Sequence, residues 1–317
     1  MTPATRDRAR RQRRGPENDS RARRAAEAQQ AAYEASRVVL AAAARRRDAS
    51  WRHAARTSRR RAAVALVAPL AVAIVLIALG FVSTVLLIAG LVLAGVIALA
   101  AATIWARSAG VLARRLGGTV VTAERRPAAL AAVEAARLVD VADGLFAVFG
   151  LAAAEIRVLD DPAANAISVG RSPDRGVVLI TSGLVLLLDR IELEAVLAHE
   201  LAHLKRGDTV SGAIAVLGFD PLGRYVPFFA RVADRVAGTD REALADIAGV
   251  AVTRYPPGLI SALEKIADAP TRRPACLPRG VAELTSRLWL APFDQAGETE
   301  RRGGLDLSER VDVLREL

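Results

Sequence analysis

From Ala62 to Ala106 the chain runs 45 positions without a charged residue, whereas one membrane-crossing helix needs about 20 apolar residues. That length predicts two spans, roughly Ala63 to Leu79 and Val85 to Trp105, with a break at Gly80 to Thr84 and Trp105 at an interface. Arg59, Arg60 and Arg61 flank one end of the run, and Arg107, Arg114 and Arg115 flank the other. The positive-inside rule then places both ends in the cytoplasm. One long tilted span is the alternative, and it would put everything downstream on the outside. The run begins too far into the chain, and is too long, to be a cleaved signal peptide.

Beyond Arg115 the pattern is that of a folded domain of about 200 residues. Leu116-Gly117-Gly118-Thr119 breaks the helix, and Ala/Leu/Val spacing predicts another from about Pro127 to Phe146, stopped by Gly150. Three short β-rich pieces follow, Ile156 to Leu159, Ala166 to Val169 and Val177 to Ile180, separated by Asp-Asp-Pro, Gly-Arg-Ser-Pro and Asp-Arg-Gly turns. Asp189 with Glu192 reads as an N-cap with its reciprocal partner, opening a helix from Ile191 to Lys205 that Gly207 closes. A later helix starts at Thr239 or Asp240. The predicted class is α+β, a two-helix transmembrane hairpin followed by a mainly helical domain with a small β-sheet. Its parts are a tail (1–61), the hairpin (62–106) and the domain (107–317).

Charge distinguishes the tail from the rest. Residues 1–61 hold 18 arginines against 6 acidic residues, and the remainder holds 26 basic against 28 acidic. A segment such as Arg21 to Arg47 suits a solvated helix, an anionic-lipid contact or nucleic-acid binding. With few aromatics to stack on bases and a membrane segment directly after it, the tail is expected to set topology, and nucleic acid is not the expected partner. Cys276 is the sole cysteine, so no internal disulfide forms and a reducing compartment is the natural reading.

Of only three histidines, His53, His199 and His203, two fall in Ala-His-Glu-Leu-Ala-His at 198–203. Histidines four apart share one helix face and can grip one zinc ion, while Glu200 can reach the water such an ion activates. Leu193, Val196, Leu197, Leu201 and Leu204 make the helix otherwise apolar, and two imidazoles buried there without a partner would be costly. Zinc in a hydrolytic site takes three protein ligands. With no third histidine nearby, a carboxylate must complete the set. Glu242 and Asp246, four apart in Arg241-Glu242-Ala243-Leu244-Ala245-Asp246, let one bind metal and the other accept from an imidazole. Asp208 is a weaker rival. Two imidazoles and a carboxylate favour zinc over other divalent ions.

Several stretches together resemble the HtpX-type membrane zinc metallopeptidases, the broad family that also includes the CAAX prenyl endopeptidases. They are Asn165 to Arg171, Val178 to Gly183, Glu192 to His203, Gly207-Asp208, Arg241-Glu242 to Asp246, Leu259 to Lys265, and Glu309-Arg310-Val311 with Leu314. The resemblance implies a gluzincin-like fold with zinc held by His199, His203 and Glu242, and Glu200 as general base. It also implies Asp246 as support to the ligands, Arg310 as transition-state or structural support, and cleavage of membrane or damaged proteins on the cytosolic side. Three departures stand against it. Residues 210–237, interrupted by Asp220, Pro221 and Arg224, suggest an abbreviated or membrane-apposed segment where the bacterial members have further spans. The family's tail His-Pro pair is replaced by Gly303-Gly304-Leu305-Asp306. A two-helix anchor cannot build a prenyl chamber.

The expected activity is metal-assisted hydrolysis of peptide bonds, with Glu200 taking a proton from the water and passing it to the leaving amine. Ala166, Ile167, Ser168 and Val169, or Val177 to Ile180, would offer an edge strand to which an unfolded substrate adds. Two readings from other classes are a membrane-anchored scaffold that keeps the fold without activity, and a tail that tethers the protein to nucleic acid.

Overall fold

The computed structural model describes residues 45, 47–68, 70–79, 83–151, 154–223, 225–238, 240–293 and 306–317. The tail through residue 44, positions 80–82 of the expected turn, Arg224, Thr239 and Gly303 to Leu305 lie outside the described residues. Contacts divide the chain into Met1–His53 and Ala54–Leu317, and the second unit carries every numbered element.

The apolar run folds as a helical hairpin. A helix through 54–67 ends in a turn at Ala68, just before Pro69, a residue with no N–H to continue the ladder. Helix α1 (Leu70–Leu79) follows, and α2 (Thr84–Leu116) packs along it. Gly90 permits the approach, because a Cβ there would lie 2.9 Å from Ile77 Cγ1. Of the two expected spans, only Leu87–Leu116 within α2 is a described helix long and apolar enough to cross a membrane. The first arm is interrupted, and α1 has 10 residues, so a second span is not established.

Helix α2 continues past the apolar run until Gly117 closes it at φ 69°. Its last turns enter the core of the domain. Leu112 and Leu116 are buried with Ile167, Val169 and Leu179 of the sheet and with Trp289 and Phe293. That sheet has the order β1 (Thr119–Val120), β2 (Glu155–Leu159), β4 (Gly176–Thr181), β3 (Ala166–Gly170). β2 and β4 are parallel, and the other two pairings are antiparallel. β4 is therefore interior and has no free edge, which removes Val177 to Ile180 as a docking strand and leaves β3 at the border.

Helix α3 (Ala132–Phe149) starts five residues later than the spacing suggests and ends at Gly150 in the left-handed region. After the short α4 (Ser182–Leu187) comes α5 (Arg190–Arg206), with the Asp189–Glu192 capping box formed as expected and Gly207 closing it at φ 73°. It lies across β3 and β4, where Gly170 and Gly176 leave room for Leu204. No long helix follows. Instead α6 (Asp208–Ile214) passes through a wider turn at Ala215–Phe219 into α7 (Asp220–Gly223) and the amphipathic α8 (Pro227–Ala237). Val210, Ile214, Phe219, Ala233 and Val236 bury against Ala62 and Leu66, with Ala101, Ile104 and Trp105 of α2 packed beside them. Helices α9 (Arg241–Thr253), α10 (Pro256–Ala267), α11 (Arg279–Thr285) and α12 (Leu307–Arg315) complete the domain.

Candidate metal centre

The site is built where α5 meets α9. Glu242, Asp246 and Gly249 follow the i, i+4, i+7 rhythm of one helix face. Gly249 sets how close that face comes, since a Cβ there would lie 3.0 Å from the His199 backbone nitrogen and 3.1 Å from its Cα. The sequence reading missed this glycine, and the same spacing could have found it.

At that contact the Nε2 atoms of His199 and His203 stand 3.2 Å apart. Glu242 reaches both, Oε2 at 3.3 Å from His199 Nε2 and Oε1 at 3.5 Å from His203 Nε2. One atom from each residue falls within 4.8 Å of the others. Glu242 Oε2 is buried with no hydrogen-bond donor among the described residues. Two imidazole nitrogens and a carboxylate oxygen converging on one buried point fit the donor set of a zinc site. Glu200, next to the first histidine, is also buried.

The other ring nitrogens meet acids. His199 Nδ1 lies 2.8 Å from Asp246 Oδ1, although its N–H is not aligned for an ideal hydrogen bond. His203 Nδ1 lies 3.4 Å from Asp208 Oδ2. Asp208, the weaker rival as a ligand, thus stands behind His203 and away from the shared point. It accepts from Arg206 Nε at 2.9 Å and from Ser58 Oγ at 2.8 Å, a partner in the helix leading into the apolar run that the sequence did not flag.

Arg310, brought by α12, is 1 % exposed and grips Asp246 with two hydrogen bonds, Nε to Oδ2 at 2.8 Å and Nη2 to Oδ1 at 2.7 Å. Its Nη1 donates to Leu290 O at 2.7 Å and lies 3.5 Å from Glu242 Oε2. Arg241 Nε donates to Glu242 Oε1 at 2.8 Å.

These charges set the protonation of the candidate ligands. Burial pushes the Glu242 carboxyl up, but Arg241 and the two imidazoles outweigh it and hold the group well below the usual range. Burial likewise opposes ionisation of Asp246, and Arg310 and His199 overcome it. Asp208 is drawn down to about 2 despite burial, by His203, Arg206 and Ser58. Burial alone would lower His199, yet Asp246 and Glu242 raise it to about 9. The acids are thus held ionised, and without a cation His199 keeps a proton at neutral pH that a divalent cation would have to displace on binding.

The expected docking strand lies beneath this helix. Ala166, Ile167, Ser168 and Val169 pair with β4 on one side. On the open side Leu290 N donates to Ala166 O at 2.8 Å and Thr209 Oγ1 to Gly170 O at 2.9 Å. Ser168 lies between them and is buried, 6 % exposed.

A helix presenting two histidines and a glutamate over a small mixed sheet is the framework of a metallopeptidase-type domain. Residues 132–286, just under half of the chain, match the sequence model of Peptidase family M48, and this region is similar to HtpX-like members of that family. The "Protease HtpX homolog" of Dictyoglomus thermophilum is 38 % identical over 162 residues, covering 41 % of this chain and 53 % of the relative. Those of Tropheryma whipplei and Salinibacter ruber are 33 % and 34 % identical over 162 and 164 residues, covering 41 % and 44 % of this chain and 56 % and 59 % of themselves. The chain spans about half the length of the curated relatives it matches. No solved structure matches it significantly.

Proposed function

We propose that this protein is a membrane-anchored zinc metalloendopeptidase acting on membrane or unfolded polypeptides at the cytoplasmic face. The convergence of His199, His203 and Glu242 on one buried point carries the reading. A zinc ion held there would polarise the scissile carbonyl and lower the pKa of a water towards about 7. Glu200 takes the proton of that water and returns it to the leaving amine. Asp246 orients His199, Asp208 orients His203, and Arg310 keeps Asp246 ionised and fixed. The substrate backbone adds to β3 at Ser168, the rung not occupied by Leu290 or Thr209. The arginines flanking the apolar run support cytoplasmic placement of the tail and the domain, and the tail adds contact with anionic lipid.

The test is zinc content and casein cleavage of detergent-purified protein beside Glu200→Gln, Glu242→Ala and Ser168→Pro. Glu200→Gln is expected to keep zinc and lose cleavage, Glu242→Ala to lose zinc, and Ser168→Pro to raise KM for unfolded substrates with zinc retained. Absence of zinc from the wild type would sink the proposal. Zinc retained without cleavage of any unfolded chain would favour the inactive scaffold.

A further inference from the structure

A second polar site lies at the end of the apolar run, apart from the metal centre. A cavity of about 330 Å³ is lined by Arg59, Trp105, Arg171, Ser172, Arg175 and Val210. Four segments build it: the helix through 54–67, the membrane end of α2, the β3–β4 turn and α6. Arg171 Nη1 donates to Ala106 O at 3.3 Å, which ties the turn to α2. Among the described residues none of the three arginines has an ion-pair partner, and no lining residue is acidic.

Arg59, Arg171 and Arg175 line this space as exposed side chains, and none can lose its proton. An anion among them would meet three positive charges. The planar guanidinium fork matches phosphate oxygens, the Ser172 hydroxyl adds a donor, and the Trp105 ring supplies a flat apolar wall. We propose that this cavity binds the phosphate of an anionic phosphoester, either an anionic phospholipid headgroup or a free glycerol phosphate.

Its position favours the lipid source. Arg59 stands just before the charge-free run and Trp105 is its last aromatic residue, so the cavity sits at the level where headgroups and interfacial tryptophans meet. This arm rests on the membrane-anchored reading. A bound headgroup would clamp the β3–β4 turn against the membrane helices, presenting the β3 edge at a fixed height over the bilayer. It would also engage Arg59, the neighbour of Ser58, whose hydroxyl holds Asp208 behind His203.

The experiment is native mass spectrometry of the full chain in neutral detergent with dioleoylphosphatidylglycerol, dioleoylphosphatidylcholine or sn-glycerol 1-phosphate. Wild type is expected to retain the phosphatidylglycerol about tenfold over the phosphatidylcholine. Arg171→Gln/Arg175→Gln should abolish that preference, as should Arg59→Gln, which covers the case of a misfolded turn. Arg231→Gln/Arg235→Gln, on the exposed side of α8, should keep it. Glycerol phosphate binding without lipid preference, lost in the same variants, would keep the site and assign the free source. A preference that survives all the cavity variants, or binding of neither phosphate, overturns the proposal. Alkaline carbonate extraction tests the anchor separately, since release from membranes would remove that reading and leave glycerol phosphate binding to be judged alone.

Discussion

At the scale of single residues, the centre depends on groups that never touch the shared point between the ligands. Arg310 is the clearest case, because its two hydrogen bonds to Asp246 use the fork geometry of a guanidinium, which an ammonium cannot reproduce. Arg310→Lys keeps the charge but is expected to destabilise the domain by about 2 kcal/mol, since the buried Asp246 carboxylate would lose at least one of its two hydrogen bonds from Arg310. Zinc affinity should fall about tenfold as Asp246 loosens its hold on His199. Thermal melting with metal titration checks both, and unchanged values would mean Arg310 only fills space. The histidine pair was legible in the sequence because both residues lie about one helical turn apart on one face. The acids behind them were less so: Asp246 shares a helix face with Glu242, whereas Asp208 reaches His203 from just beyond Gly207, where α5 ends and the next helix begins.

At the scale of elements, two of the contacts that hold α5 in place are not visible in a hydrophobic pattern. Gly249 brings α9 to the backbone of His199. In Gly249→Ala the new methyl meets backbone atoms that must give by a few tenths of an ångström, so the Glu242 face moves outward. Zinc affinity is expected to drop at least about tenfold for a stability loss of about 1–3 kcal/mol, read by metal competition and melting. The second contact joins α5 to α10. Glu192 accepts from Lys265 Nζ at 2.7 Å, from Ser261 Oγ at 2.6 Å and from Asp189 N at 2.8 Å. Burial pushes this carboxyl up, but Lys265, Ser261 and the cap N–H outweigh it, so its folded pKa lies below the ordinary 4.5. A depressed folded pKa gives stability that is present above the unfolded value and fades as pH falls through the folded one. Glu192→Gln should therefore cost about 1–3 kcal/mol at pH 7, and the gap to wild type should close as pH drops below 4.5. A gap independent of pH would mean shape, not charge, is what the variant removes. The capping box was readable because both partners sit within four residues. The strand order was not: β2 and β4 pair in parallel across an intervening strand, and nothing local distinguishes the interior strand β4 from the edge strand β3.

At the scale of the whole molecule, the division between anchor and domain that the charge pattern suggests at Ala106 is not a division in packing. Helix α2 crosses that point unbroken, and Leu112 and Leu116 lie in the same core as β3, β4 and Trp289. About two to three turns earlier in α2, Ala101, Ile104 and Trp105, with Ala62 and Leu66 of the first arm, cover Val210, Ile214, Phe219 and Val236. The apolar helices therefore roof the segment that follows α5. A chain begun at Arg107 would retain every proposed ligand yet uncover that roofed cluster, at a cost of several kcal/mol for the apolar area returned to water. It is expected to need detergent to remain monodisperse, to lose hydrogen-exchange protection over 208–237 first, and to bind zinc more weakly. That weakening follows because Asp208 loses Ser58 at the head of the same segment. Size-exclusion chromatography without detergent, followed by exchange mass spectrometry, decides the matter. A monodisperse domain with native protection over 208–237 would make the helices a mere leash. Selective loss there would mean that the apolar helices also hold the candidate metal centre in shape.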